Sequence, residues 1–322
     1  MQRVVFILLP DLEILDLAGP LQVFHEANNC GADFDIRFCA ATKTLATIQG
    51  LLFSALQPLA EVAAGDLVVI PGVPFDSLQR LDHTVVEWLR QAFKKGASLC
   101  SICTGAFVLG QAGLLDGRQC TTHWNRIEQL RQRFPRAKVV TNRLFVEDGP
   151  ITTSAGMTAG IDLTLSIVER QYGPKQAAAV AREMVVYIRR DGSHKQDSVY
   201  LDYRSHLNPG IHRVQDILSS QPERRQTLRD LASVGNMSER NLTRAFRQTT
   251  GISIGEYVVK LRLELARTLL ADPELSLEAI ATRCGFESGR QLRRTSKKLF
   301  GVPLGTFRKP PGTHQIRRPP QF

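Results

Sequence analysis

Ser98-Leu99-Cys100-Ser101-Ile102-Cys103-Thr104-Gly105-Ala106-Phe107-Val108-Leu109-Gly110 is the stretch on which the fold of the first half of the chain turns. Ser98–Ile102 reads as a short buried strand. Helix-like sequence follows at once, from Thr104 to Ala112, with no room for a hairpin. A strand that runs straight into a helix is half of a βαβ unit, and the same alternation continues on both sides. Upstream, Val4–Leu9 reads as a strand, Leu17–Ala27 as a helix after the Gly19-Pro20 region, and Phe34–Ala40 as a strand. Leu67–Ile70 is a buried strand ending in Pro71-Gly72, and Val85–Phe93 a helix. Downstream come short strands at Lys138–Thr141, Leu144–Glu147 and Ile151–Thr153, then helices at Thr158–Gln171 and Lys175–Val186. This order predicts an α/β domain with a parallel sheet covered by helices on both faces. Such sheets place their sites at the carboxyl ends of the strands.

The 322 residues are enough for two domains, and 43% hydrophobic with 22% charged residues is a globular composition. The apolar runs are far shorter than the roughly 18 residues of a membrane span. The N-terminal run is too short for a secretory signal and has no small-residue cleavage site after it. Six cysteines, Cys30, Cys39, Cys100, Cys103, Cys120 and Cys284, make no disulfide framework at this length and read as reduced thiols of a cytoplasmic protein. Cys100 and Cys103 stand without a second pair, so no zinc site is expected, and nothing calls for another metal or a cofactor.

The net charge of +10 is not evenly spread. Residues 205–322 hold 20 of the 41 basic side chains but only 10 of the 31 acidic ones, and residues 1–204 balance to zero. A neutral domain joined to a basic one points to a polyanionic partner for the basic part. Periodicity fades between Tyr187 and Ile211, where Asp191-Gly192-Ser193 and Asn208-Pro209-Gly210 signal turns. The expected organisation is a first domain over 1–190, a linker over 191–210, a helical domain over 211–309 and a disordered tail over 310–322.

Two similar units lie in the basic part. In Thr227–Thr250, Leu228, Leu231 and Ala232 form one apolar face, Gly235-Asn236-Met237 the turn, and Ser238 the cap of the next helix. That helix buries Leu242, Ala245 and Phe246 and carries Arg240, Thr243, Arg244 and Arg247 on the opposite face. In Ser276–Phe300, Leu277, Ile280 and Ala281 precede a Cys284-Gly285-Phe286 turn and the cap Ser288. Arg290, Gln291, Arg293, Arg294, Lys297 and Lys298 follow. Ile254–Leu270 is long enough to be one rigid helix between the units. Two tandem helix-turn-helix patterns with basic polar faces predict binding to double-stranded DNA.

Arg262-Leu263-Glu264-Leu265-Ala266-Arg267, Cys284-Gly285-Phe286-Glu287-Ser288 and Phe300-Gly301-Val302-Pro303 resemble the AraC/XylS transcription regulators over residues 211–308. The resemblance implies two recognition helices entering successive major grooves. It places base-facing positions at Arg240, Thr243 and Arg244, and at Arg290, Gln291 and Arg294. The chain departs from the pattern at Ser296 and Leu292, where aromatic core residues are usual, so the second unit is expected to pack less firmly.

In the first domain the sharpest chemical signal is Cys103, where a buried strand meets a helix. This is a nucleophile-elbow context with Cys in place of Ser. The helix N-terminus is expected to favour a thiolate and lower its pKa. His123 is a candidate base or orienting group, and Asp16 an acid following the first strand. The Pro71-Gly72 turn offers a backbone N–H. The bland readings are a small core cysteine, a histidine at a helix cap and an aspartate capping the first helix.

Asp16–Pro20, Ile70–Val73, Cys103–Gly110, Thr121–Trp124 and Ser154–Asp162 resemble the DJ/PfpI-type, class I glutamine-amidotransferase-like fold over residues 3–187, which implies a flavodoxin-like sheet. Carried over by motif, Cys103 takes the nucleophile position, His123 is its neighbour and Asp16 the acidic pocket residue. Fusion of this fold to an AraC-type domain is similar to the GlxA family of regulators. The resemblance implies a transcription activator, a homodimer that engages RNA polymerase, with the first domain sensing a small nitrogenous metabolite. The effector pocket is then Asp16, Gly72, Cys103, Thr104, His123 and Ser154, with no catalysis required. Two other roles fit the same residues: a cysteine-dependent amidase or hydratase with secondary DNA binding, and a redox sensor in which Cys103 is oxidised.

Overall fold

The structure, a computed structural model, describes residues 1–186, 189–192, 196, 198–270, 272 and 274–300. The expected tail over 310–322 lies outside them. The chain divides into two compact units, Met1–Gln196 and Asp197–Phe322. That boundary falls inside the stretch expected as a linker. Within the stretch Val199–Asp202 is helical, and Asn208 caps a helix opened by Pro209.

The first unit begins with β1 (Gln2–Ile7), α1 (Ile14–Asn29) and β2 (Phe34–Cys39), followed by a two-stranded hairpin of β3 (Leu45–Ala46) and β4 (Leu52–Phe53). Then come β5 (Leu67–Ile70), α2 (His83–Lys94), β6 (Ser98–Ile102), α3 (Gly105–Gln111), β7 (Gln119–Cys120), α4 (Ile127–Arg133) and β8 (Lys138–Val139). β9 (Phe145–Asp148), β10 (Ile151–Ser154), α5 (Thr158–Tyr172) and α6 (Pro174–Glu183) complete it. The main sheet has the order β2-β1-β5-β6-β10-β9. Every pairing is parallel except β10 with β9. Order reverses at β1: the chain moves outward to β2, then returns to β5 on the other side. Right-handed crossovers therefore put α1 and α2 on opposite faces. Val4–Ile7 and Val68–Ile70 are essentially inaccessible to water, as strands covered on both faces must be.

Two expectations need correction. The first helix starts earlier than expected and runs through Gly19-Pro20, which sits inside it. Pro20 removes one intrahelical bond, but α1 packs tightly on α5 there: a Cβ on Gly19 would lie 3.0 Å from Ile161. Tertiary packing overrides the local breaker. The strand expected over Lys138–Thr141 is only the two residues of β8, while the hairpin β3–β4, β7 and α4 carry periodicity too short to read from sequence.

The second unit is all helical: α7 (Val199–Asp202), α8 (Pro209–Ser220), α9 (Leu228–Gly235), α10 (Glu239–Thr250), α11 (Ile254–Leu270), α12 (Leu277–Arg283) and α13 (Gly289–Phe300). Asn236 closes α9 in the left-handed conformation, and the Ser238 hydroxyl accepts from Asn241 N–H to open α10. Ser276 and Ser288 cap α12 and α13 in the same way. α11 divides its buried face between two cores. Tyr257 and Leu261 pack with Leu231, Leu242 and Phe246, whereas Leu263, Ala266 and Leu270 pack with Ile280, Ala281 and Leu292. Leu228, expected on the apolar face of α9, is exposed, because the first helical residue projects beyond that core. Arg262 staples the arrangement: its guanidinium donates to the carbonyls of Pro222 and Gly285 at 2.7 Å each. Among the described residues no helix is long and apolar enough to cross a membrane.

Candidate functional site

Four strand ends meet at one crevice of the first unit. Asp16 stands in the first turn of α1, after β1, and is fully buried. Gly72 follows β5, Cys103–Thr104 follow β6, and Gly156–Met157 follow β10. This is the topological switch of the sheet, where the order reverses beside β1. A Cβ on Gly72 would sit 2.4 Å from Asp16 Oδ2, 2.9 Å from Thr104 Oγ1 and 3.0 Å from Cys103 Cβ, so only glycine lets these groups converge. On the far side a Cβ on Gly156 would lie 2.3 Å from Cys103 Cβ. Cys103 itself adopts φ 54°, a costly conformation for a side-chain residue, and Met157 adopts φ 48°.

Hydrogen bonds fix this backbone. Cys103 N–H donates to the Ser154 carbonyl (3.1 Å), and the Thr122 hydroxyl donates to the Cys103 carbonyl (2.8 Å). The Thr104 hydroxyl donates to the Val73 carbonyl (2.5 Å) and accepts from Val73 N–H (2.9 Å), so this side chain ties two strand ends together. Met157 N–H donates to Asp16 Oδ1 at 2.6 Å. Asp16 Oδ2 and the hydroxyl of Ser154 are buried and lack a well-formed hydrogen bond, with Gly72 N–H and the Cys103 thiol the further donors beside the Asp16 carboxyl. Burial raises the Asp16 carboxyl to about 6, against the lowering effect of Met157 N–H.

The expectation of a thiolate at Cys103 is not met. Burial, and after it the Asp16 charge, push the thiol up to about 12, outweighing the hydrogen bonds from Thr104. His123 is not drawn into the crevice chemistry by any hydrogen bond. Its Nδ1 lies 2.6 Å from Asn125 Oδ1 and its ring packs beside Trp124. The described residues therefore hold Asp16, Gly72, Cys103, Thr104 and Ser154 together, with His123 outside the network.

Two cavities lie nearby in the fold. One of about 250 Å³ is lined by Leu9, Asp11, Val73, Ser77 and Arg80, and shares Val73 with the Thr104 grip. A groove of about 880 Å³ between α1, β2 and residues 53–60 contains none of the six candidates. The charges on its wall pair with each other, Arg37 with Asp35 at 2.7 Å and Arg3 with Asp35 at 3.9 Å.

In the second unit Arg240, Thr243, Arg244, Arg247 and Gln248 form one exposed face of α10. Arg290, Arg293, Arg294 and Lys297 do the same on α13. Gln291 is half-buried, and its Oε1 accepts from Glu287 N–H at 2.7 Å, which commits part of its amide to the turn.

Residues 2–170 match the DJ-1/PfpI family, and residues 231–310 match a helix-turn-helix domain. The chain belongs to the DJ-1/PfpI family. It is 32% identical to the HTH-type transcriptional regulator CdhR of Pseudomonas aeruginosa over 92% of this chain and 88% of that protein. It is 29% identical to the HTH-type transcriptional regulator GlxA of Rhizobium meliloti over 70% of this chain and 69% of that protein. A crystal structure of an AraC family transcriptional regulator from Pseudomonas putida superposes with a TM-score of 0.52 at 25% identity, covering 57% of this chain and all of that one. This DJ-1/PfpI protein is a DNA-binding transcription regulator.

Some residues of the regulator's crevice have no signal of their own in the sequence. Gly156 and Met157 reach Cys103 and Asp16 only because β10 pairs with β6 in a fixed register, Ser154 beside Ile102. Arg262 stood inside a quoted motif, yet its role as a staple depends on a loop forty residues away. Ser296 is 1% exposed and its hydroxyl has no partner, a polar flaw in the second core.

Proposed function

We propose that the crevice around Asp16 and Cys103 binds a small nitrogenous metabolite and thereby controls DNA binding by the second unit. The observation that carries this reading is the half-satisfied carboxyl of Asp16. One oxygen accepts from Met157 N–H; the other is buried with only Gly72 N–H and the Cys103 thiol beside it, neither in good hydrogen-bond geometry. An unpaired buried acceptor is costly, and an N–H or ammonium donor from a ligand removes the cost. Cys103, held as a thiol, supplies a soft wall to such a pocket. Gly72 and Gly156 set its width, Thr104 and Ser154 its floor, and His123 lies at its outer side with Asn125.

On the DNA side, α10 and α13 enter successive major grooves. Arg240, Thr243 and Arg244 face bases from α10, and Arg290, Gln291 and Arg294 from α13. The regulator acts as a homodimer on duplex DNA in the cytoplasm, where its thiols stay reduced, and activates by engaging RNA polymerase. The test is a comparison of wild type with Asp16→Asn in a panel of small amines, amino acids and amides. A compound that raises the melting temperature of wild type and changes its DNA affinity, but does neither for Asp16→Asn, upholds the reading. A compound equally effective on both removes Asp16 from the site.

A further inference from the structure

The last described residues of the first unit are gripped by the same groups that build the crevice. Gln196, which ends that unit, donates from Nε2 to the carbonyls of Thr122 and Arg143 at 3.0 Å each. Its backbone N–H donates to Asn142 Oδ1 at 2.9 Å. Thr122 is the residue whose hydroxyl holds the Cys103 carbonyl. Six residues before Gln196, Arg190 clasps the buried carboxylate of Asp162 through its backbone N–H (3.0 Å), Nε (2.9 Å) and Nη2 (2.6 Å). Nη2 also reaches the Thr158 hydroxyl at 3.1 Å. Thr158 adjoins Met157, whose N–H holds Asp16. Between the two grips Gly192 is pressed on β9, where a Cβ would lie 2.6 Å from the Phe145 carbonyl oxygen.

We infer that the grips on Arg190, Gly192 and Gln196 form a strap that reports the state of the Asp16–Cys103 crevice to the DNA-binding unit. One route runs from Cys103 through Thr122 to Gln196, the other from Asp16 through Met157 and Thr158 to Arg190. Two junctions on these routes, Cys103 and Met157, hold left-handed backbone at φ 54° and 48°. Strain of this kind marks segments with a second accessible arrangement. The inference rests on the crevice being the effector site. A ligand that draws Asp16 from Met157 loosens the Arg190 grip, and one that shifts Cys103 loosens the Gln196 grip. Release adds up to seven residues to the chain that tethers the second unit, about 23 Å when extended. The local concentration of that unit at its DNA site changes accordingly.

Linkage makes the coupling reciprocal, so it can be read without knowing the ligand. In the full chain, amide hydrogen exchange at Arg190 and Gln196 is measured in wild type, Thr122→Val and Gly72→Ala. Iodoacetamide labelling of Cys103 is measured in wild type, Gln196→Glu and, as a control, Arg136→Ala, which breaks a remote ion pair with Asp116. The expected result is at least tenfold faster exchange at the Gln196 amide in Thr122→Val and at both amides in Gly72→Ala, with β1 and β5 amides within twofold. Labelling of Cys103 is expected to be at least fivefold faster in Gln196→Glu and unchanged in Arg136→Ala. If Gly72→Ala fails to fold, Thr122→Val decides alone. An unchanged Gln196 amide in folded Thr122→Val, or Cys103 labelling within twofold in Gln196→Glu, overturns the strap. Either result leaves the effector reading standing, because ligand binding is scored separately by the Asp16→Asn comparison.

Discussion

The two units handle charge in opposite ways. The second spreads arginine and lysine over exposed faces of α10 and α13, where water solvates every cation at little cost. The first withdraws carboxyls from water: Asp66 and Asp162 pair with Arg3 and Arg190, whereas Asp16, the most deeply buried, is held by the Met157 N–H. Exposed charge acts at long range and favours any polyanion. Buried charge acts at contact range and discriminates between small donors. Under the proposed function, depth of burial separates attraction to DNA from recognition of an effector.

The largest expected effect is on the exposed side. If α10 and α13 make about six to ten phosphate contacts between them in a dimer, raising salt from 50 to 200 mM should weaken duplex binding by about 10³–10⁵-fold. A shallow salt slope, measured by fluorescence anisotropy, would break the comparison at its basic end.

Next comes Asp16. Its folded pKa of about 6 lies above the usual carboxylate value, so the folded state binds the proton more tightly than the unfolded one. Stability from this group therefore rises as pH falls from about 6 to about 4, and the ionised form costs about 3 kcal/mol above pH 6. Asp16→Asn should remove that pH dependence and raise stability at pH 7.5 by about 1–3 kcal/mol, read by urea titration at pH 4.5 and 7.5. A pH-independent wild type would show that the carboxyl is not held as described.

Replacing single cations should have smaller and distinguishable effects. Arg244→Ala should cost about 1–3 kcal/mol and relax sequence choice at one base, whereas Lys297→Ala should weaken all duplexes alike and lower the salt slope by about 1. Binding-site selection with each variant separates the two outcomes. Smallest is Ser296→Ala, which removes a buried hydroxyl without a partner and should stabilise the second unit by about 1 kcal/mol. A loss of stability in thermal melts would show that the hydroxyl is satisfied.

Legibility followed the range of the interactions. Helix signals are local, so Ser238 at its cap, Gly235-Asn236-Met237 at its turn and the span Ile254–Leu270 were readable directly. Cys103 was visible because strand and helix abut in sequence. Asp16 was visible as an acid after the first strand, though its place within α1 required the packing of Gly19 on Ile161. Gly156 and Met157 were not, since only sheet register brings them to Cys103. His123 looked like a partner from its short separation in the chain, yet its ring turns to Asn125. The thiol departs from expectation for a different reason: burial and the neighbouring Asp16 carboxyl, both set by the fold, raise it.

The most direct test of the account is a thermal-shift screen of the full chain against small nitrogenous compounds, run at pH 7.5 and pH 5.0 on wild type and Asp16→Asn. The account predicts a compound that raises the melting temperature of wild type at pH 7.5, less at pH 5.0 where Asp16 is protonated, and not at all in the variant. A compound that shifts wild type and Asp16→Asn equally at both pH values would contradict it.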